Sequence, residues 1–338
     1  MATLVDVAQA AGVSRQTVSN VINNPHRVAP ATLAVVAREI ERLGFKPNRA
    51  ARSLRRRKAD ALGFQVNSVG ERRLGNILDA FLVELTMAAR RHDVHVVTFA
   101  VDSHDDPIAE YEHLLEVQMV DGFVLTNTRH ADPRPGWLLA NGVPFVSFGR
   151  VWDDPSFTSW VDVDGFAGVG AGVRHLLAQG YVRVGFLGWP AGSPVGDDRR
   201  AGWLAATQGT AGFDARLQAS APQDVHAAAA AAAPLLEALR GGGALICASD
   251  TLALGAWTAL RGKGIAVGSD VGLVGFDDTD IAQSFAITSL RQPLADIADS
   301  MLGLIAHHGR HGSPAPGGHV LHPVVVPRAS SLRKARRQ

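Results

Sequence analysis

From residue 61 onward, short apolar or β-branched runs alternate with stretches of helical character, and this alternation constrains the 338-residue chain more than any other feature. The runs are 62–66, 94–99, 122–126, 144–148, 182–187, 244–248 and 271–276. Helices are expected around 76–91, 107–118, 165–179, 199–211, 224–239, 251–262 and 293–307. Strand-then-helix units repeated in this way build an open parallel α/β sheet with right-handed crossovers. About 270 residues is large for one such sheet, so two lobes are expected. Ligands of these folds sit beyond the carboxyl ends of the strands. The alanine run at 227–233 reads as plain helix.

The first 60 residues differ in texture and in charge. They hold eleven Lys/Arg and four acids, a balance of +7, while the remainder carries 22 basic and 28 acidic residues, a balance of −6. A basic head on an acidic body points to a polyanion as partner of the head alone. With 46% hydrophobic and 19% charged residues, a disordered chain is excluded. A single cysteine, Cys247, excludes an internal disulfide and a Cys-rich zinc module. Its place inside an apolar run favours a buried, inert thiol. No secretory pattern and no run of about 18 apolar residues is visible, so a cytoplasmic protein without a membrane span is expected.

Residues 4–44 read as three short helices. Leu4, Val7, Ala8 and Ala11 share one face at helical spacing, and Gly12 breaks the run. Ser14 can cap a second helix through Val18, Val21 and Ile22, which Asn23-Asn24-Pro25 ends. Pro30 suits the first turn of a third, with Leu33, Val36, Ala37, Ile40 and Leu43 on its apolar face and Gly44 as its stop. Together these positions spell DVAxxAGVSxxTVSxVxN, the pattern of a helix-turn-helix: small Ala8 lets two helices approach, Gly12 permits the turn, and Val13 and Val18 fill the space between. The second helix would present Arg15, Gln16 and Asn20 to base edges, with Thr17 and Ser19 suited to phosphate oxygens.

On these motifs the chain strongly resembles the lactose-repressor (LacI/GalR) family of bacterial transcription regulators, over essentially its whole length. Pro47-Asn48-Arg49-Ala50-Ala51-Arg52-Ser53-Leu54 looks like that family's hinge segment. The resemblance implies minor-groove contacts from Asn48 and Ala51, and a wedge from Leu54 that unstacks a base step. The body resembles the family's effector domain and periplasmic sugar-binding proteins. The expected fold is thus an all-α helix-turn-helix head and an α/β periplasmic-binding-protein-like body of two parallel-sheet lobes. The expected boundaries are 1–46 for the head, 47–59 for the hinge and 60–338 for the body. Within the body, an N-lobe takes about 60–160 and 291–324, and a C-lobe about 161–290.

Three body motifs fit the family. Arg199, Gly202 and Trp203 match R-x-x-G-[WF], Ser249 to Gly255 match [NS]-D-x-x-A-x-G, and Val274 to Asp278 match V-G-[FY]-D-[DN]. The resemblance implies effector contacts from Arg199, Trp203, Asp250 and Asp277. Carboxylates at strand ends suit the paired hydroxyls of a sugar. Asp250 could instead cap the helix that follows, and Arg199 could pair with Asp197 or Asp198. Where many members carry an N-P-F-F-type segment, residues 67–75 hold no aromatic. Arg150 stands where some members have an acid, and could bind a hydroxyl or an anion, or bridge the cleft.

Enzyme motifs are missing. Ser193 lacks a nucleophile elbow, and no phosphate loop occurs. His307, His308 and His311 read as an exposed helix end, not a metal site. The expectation is a homodimer on a palindromic operator, a repressor of carbohydrate-utilisation genes governed by a sugar-like effector, with no cofactor, metal, catalysis or membrane partner. The dimer face is expected on helix 76–91, where Ile77, Leu78, Phe81, Leu82, Leu85 and Met87 exceed one core stripe. Alternatives are a corepressor-dependent regulator responding to a nucleobase or other metabolite, or a sugar-binding receptor or enzyme of the same fold.

Overall fold

The computed structural model describes residues 2–45, 58–66, 76–101, 106–150, 157–313 and 317–333. The hinge positions Asn48, Ala51 and Leu54 and the 67–75 segment lie outside these. The chain divides into two compact units, Met1–Ala59 and Asp60–Gln338.

The head is α1 (Leu4–Ala10), α2 (Arg15–Asn23), a 3-10 turn at Pro25–Arg27 and α3 (Pro30–Arg42). Thr3 and Asp6 form a reciprocal cap at the start of α1. Ser14 Oγ accepts the Thr17 N–H at 3.0 Å and caps α2, worth about 1 kcal/mol over alanine. Gly12 at φ +66° makes the turn between them. Val7, Val18 and Val36 are fully buried between the three helices, with Ala8 and Phe45 beside them.

The N-lobe sheet contains β1 (Ala61–Val66), β2 (His95–Ala100), β3 (Gly122–Leu125), β4 (Phe145–Phe148), β5 (Trp160–Val163) and β11 (His319–Leu321). Its order is β11-β5-β4-β3-β1-β2, and every pairing is parallel. Helices α4 (Ile77–Arg91), α5 (Pro107–Glu116) and α6 (Pro133–Ala140) lie between its strands in sequence. The C-lobe sheet contains β6 (Arg183–Gly188), β7 (Gln218–Ser220), β8 (Gly243–Cys247), β9 (Val271–Asp277), β10 (Thr288–Arg291) and β12 (Val324–Val326). Its order is β12-β10-β9-β8-β6-β7, with only β12 antiparallel. Its helices are α7 (Gly165–Ala178), α8 (Pro194–Thr207), α9 (Val225–Leu239), α10 (Asp250–Gly262) and the short α11 (Asp280–Ser284).

The backbone passes between the sheets three times: from β5 into α7, from β10 into α12 (Leu294–His311), and from β11 into β12. Helix α12 follows a C-lobe strand but packs on α4, β4 and β5 of the N-lobe. The tail after β12 stays on the C-lobe, where Ser330 Oγ donates to the Leu273 carbonyl and accepts the Thr288 N–H.

The short strands β5, β7, β10, β11 and β12 go beyond the sequence expectation, as do α6 and α11. At three to five residues most of these are too brief to show a period. Helix α8 begins at Pro194, not 199, because Ser193 caps it and proline suits its first position. The histidine cluster also needs correcting. Helix α12 runs on to His311, and His308 is buried inside it, its pKa lowered by burial and then by His307. Among the described residues no group of three or more His, Cys, Asp or Glu could hold a metal ion, and no helix is long and apolar enough to cross a membrane.

Candidate functional site

On the head, Arg15 and Gln16 are exposed on the first turn of α2, and Asn20 follows one turn later. Gln16 Nε2 donates to Asn20 Oδ1 at 3.3 Å, so the two amides share one stripe of the helix. Thr17 is half-buried, and its hydroxyl sits 2.9 Å from that of Ser14. Ser19 differs from its expected role: it is 8% exposed and turned toward the helix packing, not displayed beside Arg15.

In the body, a cavity of about 630 Å³ opens between the lobes. Asp277, Gln292, Arg199, Trp189 and Gln223 line it from C-lobe strand ends and α8. Asn76, Asn127, Thr128, Arg129, Phe148 and Asp162 line it from the N-lobe. Its position is that expected at the carboxyl ends of parallel strands.

Arg199 is 5% exposed. Its Nη1 donates to the Ala248 carbonyl at 2.5 Å, and its guanidinium carbon lies 3.5 Å from the centre of the Phe276 ring. Nη2 is 3.8 Å from Asp277 Oδ1, too far for a hydrogen bond, and the sealed Nε has no partner. Burial pulls the guanidinium below its ordinary pKa, against the attraction of Asp277, Asp162, Asp198 and Asp250. The alternative surface pairings do not form: Asp197 accepts the Gly192 N–H and Asp198 the Phe166 N–H.

Asp277 ends β9 at φ +108°, a backbone region that side-chain-bearing residues rarely adopt. It is 6% exposed, and Oδ1 accepts Gln292 Nε2 at 2.6 Å. Burial pushes its carboxyl up to about 7, against Arg199, which lowers it. The site thus holds a carboxylate and a guanidinium withdrawn from water and incompletely satisfied by each other. Such groups cost several kcal/mol to bury, and the atoms of both residues that line the cavity are placed to meet a ligand carrying adjacent hydroxyls.

Asp250 and Trp203 are placed elsewhere. Asp250 is fully buried behind the wall, where Oδ2 accepts the Thr279 N–H and hydroxyl at 2.7 and 3.0 Å and Oδ1 accepts the Ser289 hydroxyl at 2.6 Å. Burial raises its pKa to about 6 despite those bonds. It ties the loop after Asp277 to α10, while Ser249, not Asp250, caps that helix. Trp203 is a core residue. It is 0% exposed, stacks on Phe186 with centroids 5.8 Å apart, and donates its indole N–H to the Val184 carbonyl.

The motif glycines explain this geometry. A Cβ on Gly202 would strike the Phe166 backbone, including its Cα at 2.8 Å, so glycine lets α8 lie close against α7. A Cβ on Gly255 would meet the Val225 carbonyl at 2.6 Å, so glycine seats α10 on α9. A Cβ on Gly275 would collide with the Asp250 carboxylate.

Arg150 bridges within the N-lobe, not across the cleft. Its Nε donates to Asp162 Oδ2 at 2.6 Å, and its guanidinium lies 5.8 Å from the Trp160 ring centre. Asp162, on the neighbouring strand, is the carboxylate that reaches the cleft.

Comparison with known proteins agrees with this architecture. Residues 3–48 match the family described as bacterial regulatory proteins, lacI family, and residues 173–331 match the periplasmic binding protein-like domain. The HTH-type transcriptional regulator CelR of Thermobifida fusca is 32% identical over 311 residues, covering 90% of each chain. The chain belongs to the lacI family. Among solved structures, a lacI-family regulatory protein from Chloroflexus aggregans is 31% identical with a TM-score of 0.73, covering 81% of this chain and 99% of that one. A complex of CelR with cellobiose is 29% identical with a TM-score of 0.71, covering 98% of this chain and all of the other. The lac repressor dimer on its operator, at 23% identity and a TM-score of 0.76 over 98% of this chain and 99% of that one, shares the fold.

In this lacI-family chain the sequence reading missed Asp162, Gln292, Gln223 and Trp189 as cleft residues. Trp189 carried a usable signal, since it directly follows the apolar run that becomes β6. Asp162 carried less, because a four-residue strand hides it. Gln292 and Gln223 sit in loops where spacing has no meaning.

Proposed function

We propose that this DNA-binding regulator of the lacI family is a homodimeric repressor of carbohydrate-utilisation genes, released from a near-palindromic operator by a saccharide bound between its lobes. The observation that carries the effector reading is Arg199. A guanidinium so deeply buried, with a carboxylate 3.8 Å away that is too far for a hydrogen bond, lines a cleft large enough for a sugar. Asp277 and Asp162 supply acceptors from opposite lobes. The CelR complex with cellobiose supports an oligosaccharide effector. Gln16 and Asn20, on one stripe of α2, and the exposed Arg15 on its first turn suit the readout of base edges, Arg for guanine and the amides for adenine. Val83 and Met87, exposed on α4 at 61% and 54%, support a dimer face on that helix, since two large apolar side chains on one stripe favour a partner over water.

A dimer doubles the number of base contacts by symmetry. The effector acts by binding the two arrangements of the lobes with different affinity, a coupling of about 1–3 kcal/mol. Fluorescence anisotropy of the full chain on DNA upstream of its own gene, with cellobiose, maltose, galactose and adenine added in turn, tests the reading. The expected result is salt-sensitive specific binding that one saccharide weakens. Specific binding that adenine strengthens and no saccharide changes would replace the induced repressor by a corepressor-dependent one.

A further inference from the structure

Trp189 lines the cleft but is more tightly held than a half-exposed side chain in a loop needs to be. Its indole N–H donates to Gln223 Oε1 at 2.7 Å. The same oxygen accepts the Ser249 hydroxyl at 2.8 Å, and Gln223 Nε2 donates to the Thr251 hydroxyl at 3.2 Å. The amide orientation is therefore fixed by three partners, two of them at the N-terminus of α10. On the other side, a Cβ on Gly196 would lie 3.0 Å from Trp189 Cε3, so the six-membered ring rests on the first turn of α8, where a side chain would displace it. The Arg199 guanidinium carbon lies 5.4 Å from the ring centre.

We propose that Trp189 is a preorganised floor on which a pyranose ring of the effector stacks, with Gln223 and Gly196 as the residues that set its plane. This rests on the reading of the cleft as a saccharide site and specifies how the ring lies in it. A pyranose has an apolar face of axial C–H groups that packs on an aromatic plane, while its equatorial hydroxyls point outward from the ring edge. The Arg199 guanidinium lies over the indole from the α8 side, where Gly196 also packs, and both Arg199 and Asp277 line the same cavity, where those hydroxyls find a donor and an acceptor. Locking the indole before binding removes the ordering cost that a mobile tryptophan would impose. Gln223 is a positioning residue, because its polar atoms are engaged by Trp189, Ser249 and Thr251.

The test is calorimetric titration of the full chain with cellobiose, maltose and methyl β-glucoside, using wild type, Trp189→Phe, Trp189→Ala, Gln223→Leu and Asp277→Ala. Tryptophan fluorescence is recorded in parallel. For the saccharide that wild type binds, Trp189→Ala is expected to lose roughly 30-fold in affinity and Gln223→Leu roughly tenfold, while Trp189→Phe stays within about threefold. The fluorescence change on binding should vanish in Trp189→Phe although that variant still binds, a result that a merely structural role for Trp189 would not give. If Trp189→Ala binds as wild type does while Asp277→Ala does not bind, the stacking floor is wrong and the saccharide cleft stands. If wild type binds none of the three sugars, and galactose does not release it from DNA either, both readings fall.

Discussion

On the C-lobe wall of the cleft, Arg199 and Asp277 are 5% and 6% exposed and stand on elements brought close by Gly202, Gly255 and Gly275. On the N-lobe wall, Asn127 and Arg129 are exposed, and the one buried carboxylate, Asp162, is already satisfied by Arg150 and by the Val163 N–H. One wall is a desolvated, strained pair awaiting partners, and the other is a neutralised pair with polar groups at its edge. The contrast teaches a division of labour. On the saccharide reading proposed above, the C-lobe pair is where a hydroxyl pair binds and where most of the affinity is expected, because incompletely satisfied buried groups gain most from a ligand. On the same reading, the N-lobe wall is expected to tune which saccharide fits.

The comparison breaks most violently at its frame. Gly202→Val would force α8 away from the Phe166 backbone, and no rotamer can relieve a Cβ clash with main chain. The expected outcome is a loss of several kcal/mol, read as a collapse of the C-lobe melting transition. Gly136→Ala, on the exposed face of α6 where the added Cβ meets nothing, should leave the melt unchanged or raise it slightly. Equal melting curves for the two variants would show that the close packing of α8 on α7 is not needed.

Next in size is Asp277→Ala. It removes an acceptor from the cleft and leaves Arg199 buried without its nearest carboxylate. Effector affinity should fall by about 100-fold, since a hydrogen bond to a charged group is worth about 1.5–3 kcal/mol. Operator binding without effector should be retained. Retained induction at wild-type effector concentrations would move the site away from Asp277.

On the N-lobe wall the effects should be smaller. Asp162→Asn keeps the shape and an acceptor but releases Arg150, and Arg150→Ala leaves Asp162 without its cation. Each should shift effector affinity by roughly tenfold and change the ranking of sugars, because the charge at the N-lobe edge is altered. A loss as large as that of Asp277→Ala would erase the distinction between the walls.

Much of the C-lobe wall was legible in the sequence because its geometry depends on residues with few substitutes. A glycine at a close approach, and an acid at a strand end in V-G-F-D-D, each report a local demand of the backbone. The same logic misassigned Asp250 and Trp203. Both sit in the right motifs, but one braces the loop after Asp277 and the other fills the core, and a motif does not state which side of a strand or helix faces the ligand. The N-lobe wall was poorly legible for another reason. Arg150 could be seen, but its partner Asp162 lies twelve residues on, in a four-residue strand, and only the β4–β5 pairing brings them together. The helices and caps of the head were legible almost completely, since a compact three-helix unit with local caps leaves little to long-range pairing. Ser19 was the exception, its burial set by which face of α2 meets the other helices.

The smallest effect separates the walls by proton linkage. Burial raises the Asp277 carboxyl to about 7, while its ordinary value is 3.8. A carboxyl raised in the fold contributes stability that is complete below pH 3.8 and is lost as the pH climbs to about 7, where the native group ionises. A saccharide whose hydroxyls donate to the carboxylate has the opposite preference. It binds the ionised form, lowers the pKa in the complex, and releases up to one proton. Effector affinity should therefore be full above about pH 7 and weaken by at most tenfold per pH unit between about 7 and 6. Below that, Asp250, raised to about 6, begins to protonate and loosen the loop after Asp277, so the window closes there. Titrations at pH 6.0, 7.0 and 8.0 in buffers of different ionisation enthalpy measure both the affinity and the protons released. Asp162→Asn should keep the slope, because the slope belongs to the C-lobe carboxyl. An affinity that is flat from pH 6 to 8 in wild type, with no proton released, would mean that the effector meets Asp277 already neutral, and the carboxylate would lose its role as a double acceptor.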